Sequence, residues 1–127
     1  MATRALRILV ADDEEGVRES LRLILAPEYA LTIVSNGKDA FEQLSRHAFD
    51  LALLDIKMPK MDGLEILRRL KRARRLVPIL MLTAYQSVEL AKEAVKLGAL
   101  DYFPKPLDRE RVCRVVQGVL NGSPRKR

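Results

Sequence analysis

The sequence predicts an α/β fold in which a parallel β-sheet carries helices on both faces. Five short apolar runs of strand length alternate along the chain with five segments whose apolar residues recur at helical spacing. The interior of the third run, residues 51–54, is apolar at every position, as is typical of a central parallel strand covered on both faces. Strands that alternate with helices are joined by right-handed crossovers, so the alternation indicates a single parallel sheet.

The predicted strands cover residues 6–11, 31–34, 50–55, 78–83 and 100–103. Turn-forming residues bound them, because Asn36-Gly37 follows the second strand and the segment MPKMDG, residues 58–63, follows the third. We predict the strand order 2-1-3-4-5, which is the doubly wound, flavodoxin-like arrangement. In such a sheet, functional groups gather outside the carboxyl ends of the strands.

Apolar spacing and capping residues place the five helices. Ser87 and Asp108 are predicted N-caps of the fourth and fifth helices, and Gly98 is predicted to end the fourth helix in a left-handed conformation. Cys113 is predicted to be a small core residue of the last helix, which reaches about residue 120. The residues that mark the buried sides, in chain order, are Val17, Leu21, Ile24 and Leu25; Ala40, Phe41 and Leu44; Ile66, Leu67 and Leu70; Leu90, Ala94 and Val95; and Val112, Val115, Val116 and Val119.

The chain has room for one domain. Its 127 residues, 48% of them hydrophobic, allow one sizeable core and leave no space for a second folded unit. We assign residues 1–121 to the domain and residues 122–127 (GSPRKR) to a linker or tail. The first apolar run is too short for a signal peptide and no run approaches a membrane span, so we expect a cytoplasmic protein without a membrane partner.

The net charge of +6 is spread along the chain, with one basic run between Arg68 and Arg75 as the exception. Helical spacing puts most of these charges opposite the apolar side of the third helix. A solvated helix face is the preferred interpretation, and a partner or nucleic-acid surface is the alternative.

Charged and hydroxyl side chains stand at the ends of four predicted strands. Asp12 and Asp13 follow the first strand and Asp55 ends the third. Because these two strands are neighbours in the predicted order, three carboxylates converge at one edge, where their repulsion favours a bound cation. Carboxylate oxygens suit Mg²⁺, which binds through one or two carboxylates together with phosphate oxygens. The sequence therefore predicts a Mg²⁺ site that is completed by a phosphoryl group.

Phosphoryl transfer gives a task to the remaining strand-end residues. The reaction needs an in-line nucleophile and positive or hydrogen-bonding groups around the phosphoryl oxygens. Asp55 is the candidate nucleophile, because a carboxylate can form an acyl phosphate. Lys105, after the fifth strand, can neutralise one phosphoryl oxygen, and the hydroxyl of Thr83, at the end of the fourth, can donate to another.

Four short motifs resemble the receiver domain of two-component response regulators. They are VADDE at 10–14, LLDIKMP at 53–59 with Asp62-Gly63, LTA at 82–84, and DYFPKP at 101–106. The resemblance spans residues 6–120, and each motif lies at the end of a predicted strand. The sequences of the last two motifs most resemble those of receivers attached to transcriptional activators of the nitrogen-regulation type.

The resemblance implies a role for each matching residue. Asp55 would accept phosphate from the phosphohistidine of a sensor histidine kinase, and Lys105 would pair with the phosphate. Thr83 and Tyr102 would be the switch residues that respond to it. Such a domain is not an enzyme but assists its own phosphorylation and dephosphorylation. The implied Mg²⁺ ligands are Asp12, Asp13, Asp55 and the backbone carbonyl of Lys57.

The resemblance also implies how the signal leaves the domain. The surface formed by helix four, strand five and helix five, about residues 87–120, would dimerise or contact an effector domain or downstream protein. This domain would not itself bind nucleic acid. Lys57 and Tyr85 occupy flanking positions that are thought to tune the lifetime of the phosphate, and Lys105-Pro106 is a bond that is often cis in such domains.

Other functions remain open from the sequence alone. A Mg²⁺-dependent phosphatase of the haloacid-dehalogenase type would carry an acidic residue two positions after its nucleophile, where this chain has Lys57. A flavin carrier of the same topology would need a loop rich in Ser, Thr and Gly after the first strand, where the chain is acidic. A nucleic-acid binder is suggested by net charge alone. Taken singly, Asp12 can begin a helix and Lys105 can be a surface lysine.

Overall fold

The structure is a computed structural model that describes residues 5–84 and 87–121. Tyr85 and the tail 122–127, on which the sequence analysis placed predictions, lie outside the described residues. The five strands are β1 (Arg7–Ala11), β2 (Ala30–Val34), β3 (Leu51–Asp55), β4 (Ile79–Thr83) and β5 (Asp101–Pro104). The five helices are α1 (Glu15–Leu25), α2 (Gly37–Arg46), α3 (Gly63–Arg72), α4 (Val88–Lys96) and α5 (Arg109–Leu120).

All strands pair in parallel in the order β2-β1-β3-β4-β5, so the predicted fold class and strand order are confirmed. The apolar run of β3 explains its central position. Leu51 and Leu53 pack into the core cluster that includes residues of α1 and α5, whereas Ala52 and Leu54 pack into the cluster that includes residues of α2, α3 and α4. Successive side chains of a strand point to opposite faces, and here both faces are covered.

Helix ends follow the capping residues only in part. Asp108 caps α5 as predicted, because its Oδ1 accepts a hydrogen bond from the Arg111 N–H at 3.2 Å. Gly98 follows the end of α4 with a φ of 121°, which confirms the left-handed ending. Ser87 stands at the N-cap position of α4, but its side chain makes no capping hydrogen bond. Two caps were not predicted, Asn36 for α2 and Asp62 for α3.

Three predictions about apolar positions were wrong in detail. Val95 is exposed, and Ala91 is buried on α4 in its place, because the helix turns its Ala91 and Ala94 side toward the sheet. Leu100 is 53% exposed and precedes β5, although its N–H donates to Ile79 O at 2.8 Å. Cys113 is only partly buried, while Val112 and Val116 fill the fully buried positions of α5.

Candidate functional site

The carboxyl ends of four strands meet at one edge of the sheet and carry the predicted site residues. Asp12 follows β1, Asp55 is the last residue of β3, and Thr83 is the last residue of β4. Lys105 follows β5, and its backbone N–H donates to Thr83 O at 2.8 Å. Because β1 is paired with β3, and β3 with β4, these strand ends lie side by side. The structure therefore brings together the residues that the sequence placed at the strand ends.

Three carboxylates form a compact acidic cluster. One oxygen from each of Asp12, Asp13 and Asp55 lies within 4.8 Å of the others. Asp12 and Asp55 are buried, and Asp13 is exposed. Local hydrogen bonds fix the loop that presents them, since Asp12 Oδ1 accepts from the Glu14 N–H at 2.9 Å and Arg18 donates to Asp12 O at 2.9 Å.

The ammonium of Lys105 lies among the carboxylates. Its Nζ is 2.8 Å from Asp12 Oδ2, 2.7 Å from Glu14 Oε1 and 3.2 Å from Asp55 Oδ2. The Lys105-Pro106 peptide bond is cis. Glu14 is a contact that sequence reasoning missed, because an acidic residue just before a helix is also explained by the helix dipole alone.

Burial and mutual repulsion shift the ionisation of the cluster. Burial, followed by the negative charge of Asp12, raises the pKa of Asp55 to about 7 against the opposing effect of Lys105. Burial also raises the pKa of Asp12, while Lys105 and the Glu14 N–H oppose the rise. Burial acts to lower the pKa of Lys105, but its contacts with Asp12 and Glu14 outweigh that effect and hold the pKa above its usual value. The site therefore holds more negative charge than one lysine compensates.

A buried oxygen of Asp12 indicates what the cluster can hold. Within residues 5–84 and 87–121, Asp12 Oδ2 accepts no hydrogen bond, and its contact with Lys105 is an ion pair without hydrogen-bond geometry. The ion pair offsets part of the cost of burying this oxygen, and a hard cation would offset more of it. The donor set, composed of carboxylate oxygens at one edge, fits Mg²⁺, which prefers oxygen ligands.

The predicted switch residues lie on the same face of the sheet. In the register of β4 and β5, Met81 is opposite Tyr102 and Thr83 is opposite Pro104, and residues two apart on a strand share a face. Thr83 is fully buried, and its hydroxyl donates to Ala84 O at 3.0 Å. Tyr102 is half-buried and packs against the core cluster on that face. Thr83 therefore lies beside the acidic cluster, whereas Tyr102 lies two residues before Pro104, the β5 residue opposite Thr83.

Lys57 lies two residues after Asp55, with an exposed side chain. The turn around it is held by hydrogen bonds from the Ile56 N–H to Leu82 O at 3.1 Å and from the Gly63 N–H to Ile56 O at 2.7 Å. Gly63 is required there, because a Cβ would lie 2.7 Å from Asp55 O. The turn therefore packs against the backbone of Asp55 at Gly63.

Comparison with known proteins gives concordant results. The sequence model of a family described as the response regulator receiver domain matches residues 8–117. The chain is 40% identical, over 89% of its length, to the transcriptional regulatory protein ZraR of Escherichia coli K12, of which it covers 26%. It is 39% identical to the response regulator MprA of Mycobacterium leprae, over 91% of this chain and 51% of that protein. The chain thus spans about a quarter to a half of the length of these relatives.

Solved structures agree with the sequence comparison. The receiver domain of NtrX from Brucella abortus superposes with a TM-score of 0.83 at 29% identity, covering 91% of this chain and 99% of that one. Full-length FixJ from B. japonicum superposes with a TM-score of 0.84 at 32% identity, covering 94% of this chain and 59% of that one. Among the described helices, none combines the length and the apolar character needed to cross a bilayer.

Proposed function

Because the chain belongs to the response regulator receiver domain family, whose members are phosphoacceptor switches of two-component systems, we propose that Asp55 is its phosphoacceptor. The family makes the chain a signalling domain and not an enzyme in the ordinary sense. The observation that carries the proposal is the cluster of the Asp12, Asp13 and Asp55 carboxylates, two of which, Asp12 and Asp55, contact the ammonium of Lys105. It is an arrangement with excess negative charge at an open sheet edge, which a divalent cation and a phosphoryl group would complete.

The reaction follows from the position of Asp55. One of its carboxylate oxygens attacks the phosphorus of a phosphohistidine on a sensor histidine kinase, and the bond from phosphorus to the histidine nitrogen breaks as the acyl phosphate forms. Asp12, Asp13, Asp55 and the backbone carbonyl of Lys57 would hold Mg²⁺, which neutralises charge on the phosphoryl oxygens when bound. Attack of water on the same phosphorus breaks its bond to the Asp55 oxygen, which releases inorganic phosphate and restores the carboxylate. The domain assists this dephosphorylation because the same residues hold the phosphoryl group.

Lys105 and Thr83 respond to the new group. The Lys105 ammonium, which lies 3.2 Å from Asp55 Oδ2, pairs with a phosphoryl oxygen once Asp55 is modified. The Thr83 hydroxyl, which now donates to Ala84 O, turns to donate to another oxygen. Movement of Thr83 alters the packing available to Tyr102 on the same face of the sheet.

The output is a shift in population of the surface formed by α4, β5 and α5. This surface has two arrangements in equilibrium. Phosphorylation shifts the equilibrium toward one of them by the difference between the free energies with which the phosphoryl group interacts with the two arrangements. We place its readout in an effector domain of a transcriptional regulator or in a downstream protein, with dimerisation as one route and without direct binding of nucleic acid by this domain. Residues 1–121 form the receiver, and residues 122–127 are its linker or tail.

Labelling by a small phosphodonor tests the proposal. The intact mass of the protein is recorded after incubation with acetyl phosphate, with Mg²⁺ and with a chelator. We expect a gain of one phosphoryl group that needs Mg²⁺ and is absent from Asp55→Asn. Asp39→Asn, which changes an exposed carboxylate of α2, serves as the matched control and retains the gain. Labelling that persists in Asp55→Asn, or that ignores the chelator, would contradict the proposal.

A further inference from the structure

A groove of about 250 Å³ opens at the edge of the sheet opposite the acidic cluster. Its walls are residues 47–49, which precede β3, and residues 74–77, which precede β4, together with Leu44. We call it the α3–β4 groove. Each strand of the sheet centre has five residues, so about 16 Å of strand separates the groove from Asp55. The groove is therefore a second surface feature, distinct from the phosphoacceptor site.

The α3–β4 groove combines cations with apolar surface. Arg74 and Arg75 supply positive charge, and within the described ranges no carboxylate lines the groove. Leu76 is 95% exposed, more than any of the other large hydrophobic residues that the structure describes as exposed. The half-buried ring of Phe49 has the guanidinium of Arg7 over it, 4.9 Å from the ring centroid, and the carboxylate of Asp50 accepts the Arg7 N–H at 2.7 Å beside it.

Among the described residues, no carboxylate pairs with Arg74 or Arg75, in contrast to the arginines of the neighbouring helix face. Three arginines of α3 lie 2.9–3.8 Å from the carboxylate of Glu65; they are Arg68, Arg69 and Arg72. Arg74 has no carboxylate partner in the part of the chain that the structure describes. Arg75 donates to Leu44 O and His47 O, both at 2.7 Å, and these neutral carbonyls fix its guanidinium in place without cancelling its charge.

Arg74 occupies a backbone position that favours glycine. α3 ends in two hydrogen bonds that reverse the chain, from the Arg74 N–H to Lys71 O at 3.1 Å and from the Arg75 N–H to Leu70 O at 2.9 Å. Arg74 has a φ of 57°, in the left-handed region, at the position after the C-cap where glycine is the favoured residue. The equivalent position after α4 is occupied by Gly98. An arginine therefore replaces the residue that would be more stable there.

We propose that the α3–β4 groove binds an acidic segment of a partner protein. Carboxylates of the segment pair with Arg74 and Arg75, and an apolar side chain of the segment lies between Leu76 and Phe49. The apolar part of the groove favours a peptide over nucleic acid, because phosphate backbones offer charge without an apolar side chain. Glu65 also interrupts the row of arginines that a phosphate backbone would follow.

Fluorescence anisotropy with defined probes tests this proposal. The probe is a short fluorescein-labelled peptide in which glutamates flank a Leu-Phe pair. The comparison probes carry the same glutamates around a Ser-Ser pair, lysines around the Leu-Phe pair, or labelled duplex DNA. We expect saturable binding of the first probe alone, weakening as salt rises, with amide NMR shifts confined to residues 47–49 and 74–77. Equal binding of the Ser-Ser peptide or of duplex DNA, or no binding of the first probe, would overturn the proposal.

Two variants separate binding from folding. Arg74→Gly is expected to weaken peptide binding at least about fivefold while the urea midpoint stays unchanged or rises, because glycine suits the left-handed position. Leu76→Ser is expected to weaken binding by a similar factor without lowering the midpoint, since the side chain is 95% exposed. Undiminished binding in both variants would overturn the proposal.

Matched controls remove the same chemistry elsewhere. Arg114→Gln removes an exposed charge from α5, and Leu23→Ser removes a leucine of α1 that is 69% exposed. Both should bind the peptide as the unmodified protein does, and loss of binding in either would overturn the assignment of the site. All four variants should keep labelling by acetyl phosphate, so failure of peptide binding is distinguishable from failure of the phosphoacceptor function.

Discussion

Asp55 is a carboxylate placed where its ionised form is disfavoured. Its side chain is 7% exposed, it lies beside Asp12 and Asp13, and Lys105 is the cation that the structure shows in contact with it. A residue chosen for stability alone at the end of a buried strand would be uncharged. A buried carboxylate that lowers local stability in this way is typical of functional sites.

The raised pKa of Asp55 predicts a pH dependence of stability in the absence of Mg²⁺. The native state holds the proton of Asp55 up to a pKa of about 7, whereas the ordinary value is 3.8. The stabilisation by this proton is fully present below pH 3.8. The free energy of unfolding then falls as the pH rises from 3.8 to about 7, where the native state also loses the proton. The loss amounts to at most about 4 kcal/mol.

Asp55→Asn should remove most of this dependence. Urea unfolding between pH 4.5 and about 8 measures it. We expect the free energy of unfolding of the unmodified protein to fall with rising pH relative to that of the variant, so that the variant is the more stable at pH 8. Parallel curves for the two proteins would show that Asp55 titrates as an ordinary surface carboxylate. The exposed control Asp39→Asn should follow the unmodified protein.

At the scale of the elements, α2 and the loop after β3 are in close contact at Gly37. The N–H of Gly37, the first residue of α2, donates to Pro59 O at 3.1 Å. A Cβ at Gly37 would lie 1.6 Å from Met61 O, which is a backbone atom that no side-chain rotation can move away. The start of α2 therefore contacts the loop that follows Asp55. This close contact is possible because Gly37 has no side chain.

Gly37→Ala should destabilise the protein by about 3 kcal/mol or more, because the loop after β3 has to shift. Gly118→Ala is the matched control, since Gly118 lies within α5 and a Cβ there would have no neighbour within 4 Å. It should stabilise the protein by about 0.5–1 kcal/mol, as alanine is the better helix former. Urea unfolding measures both, and a Gly37→Ala variant as stable as the unmodified protein would contradict the packing described.

Elements with a strong periodic pattern were predictable, and those set by contacts between elements were not. The buried strand β3, the N-cap Asp108 of α5 and its buried residues Val112 and Val116 follow from local chemistry, so their prediction succeeded, although Cys113 of the same helix is only partly buried. Val95 was assigned to the buried side of α4, but its apolar character does not reveal which of several apolar helix residues turns toward the sheet. Leu100 failed for a related reason, since strand limits depend on the register with β4.

At the scale of the whole molecule, the sheet places two different chemistries at its two edges. The carboxyl ends of the strands carry the acidic cluster, which strand-end reasoning located from the sequence, whereas the contacts of Glu14 with Lys105 and of Arg18 with Asp12 were not predicted. The amino edge carries the α3–β4 groove, which was not foreseen. The sequence analysis preferred a solvated face for the basic run and kept a partner surface as the alternative. Helical spacing indicates the pairing of Glu65 with Arg68 and Arg69, but it does not reveal that Arg74 has no carboxylate partner among the described residues.

The central claim is that Asp55, and neither of the two neighbouring carboxylates, takes the phosphoryl group. Borohydride reduction after treatment with acetyl phosphate and Mg²⁺ tests it, because reduction converts an aspartyl phosphate to homoserine, which tandem mass spectrometry of peptides can locate. We expect homoserine at position 55, with Asp12 and Asp13 unmodified. Homoserine at position 12 or 13, or spread over exposed carboxylates without preference for position 55, would contradict the account.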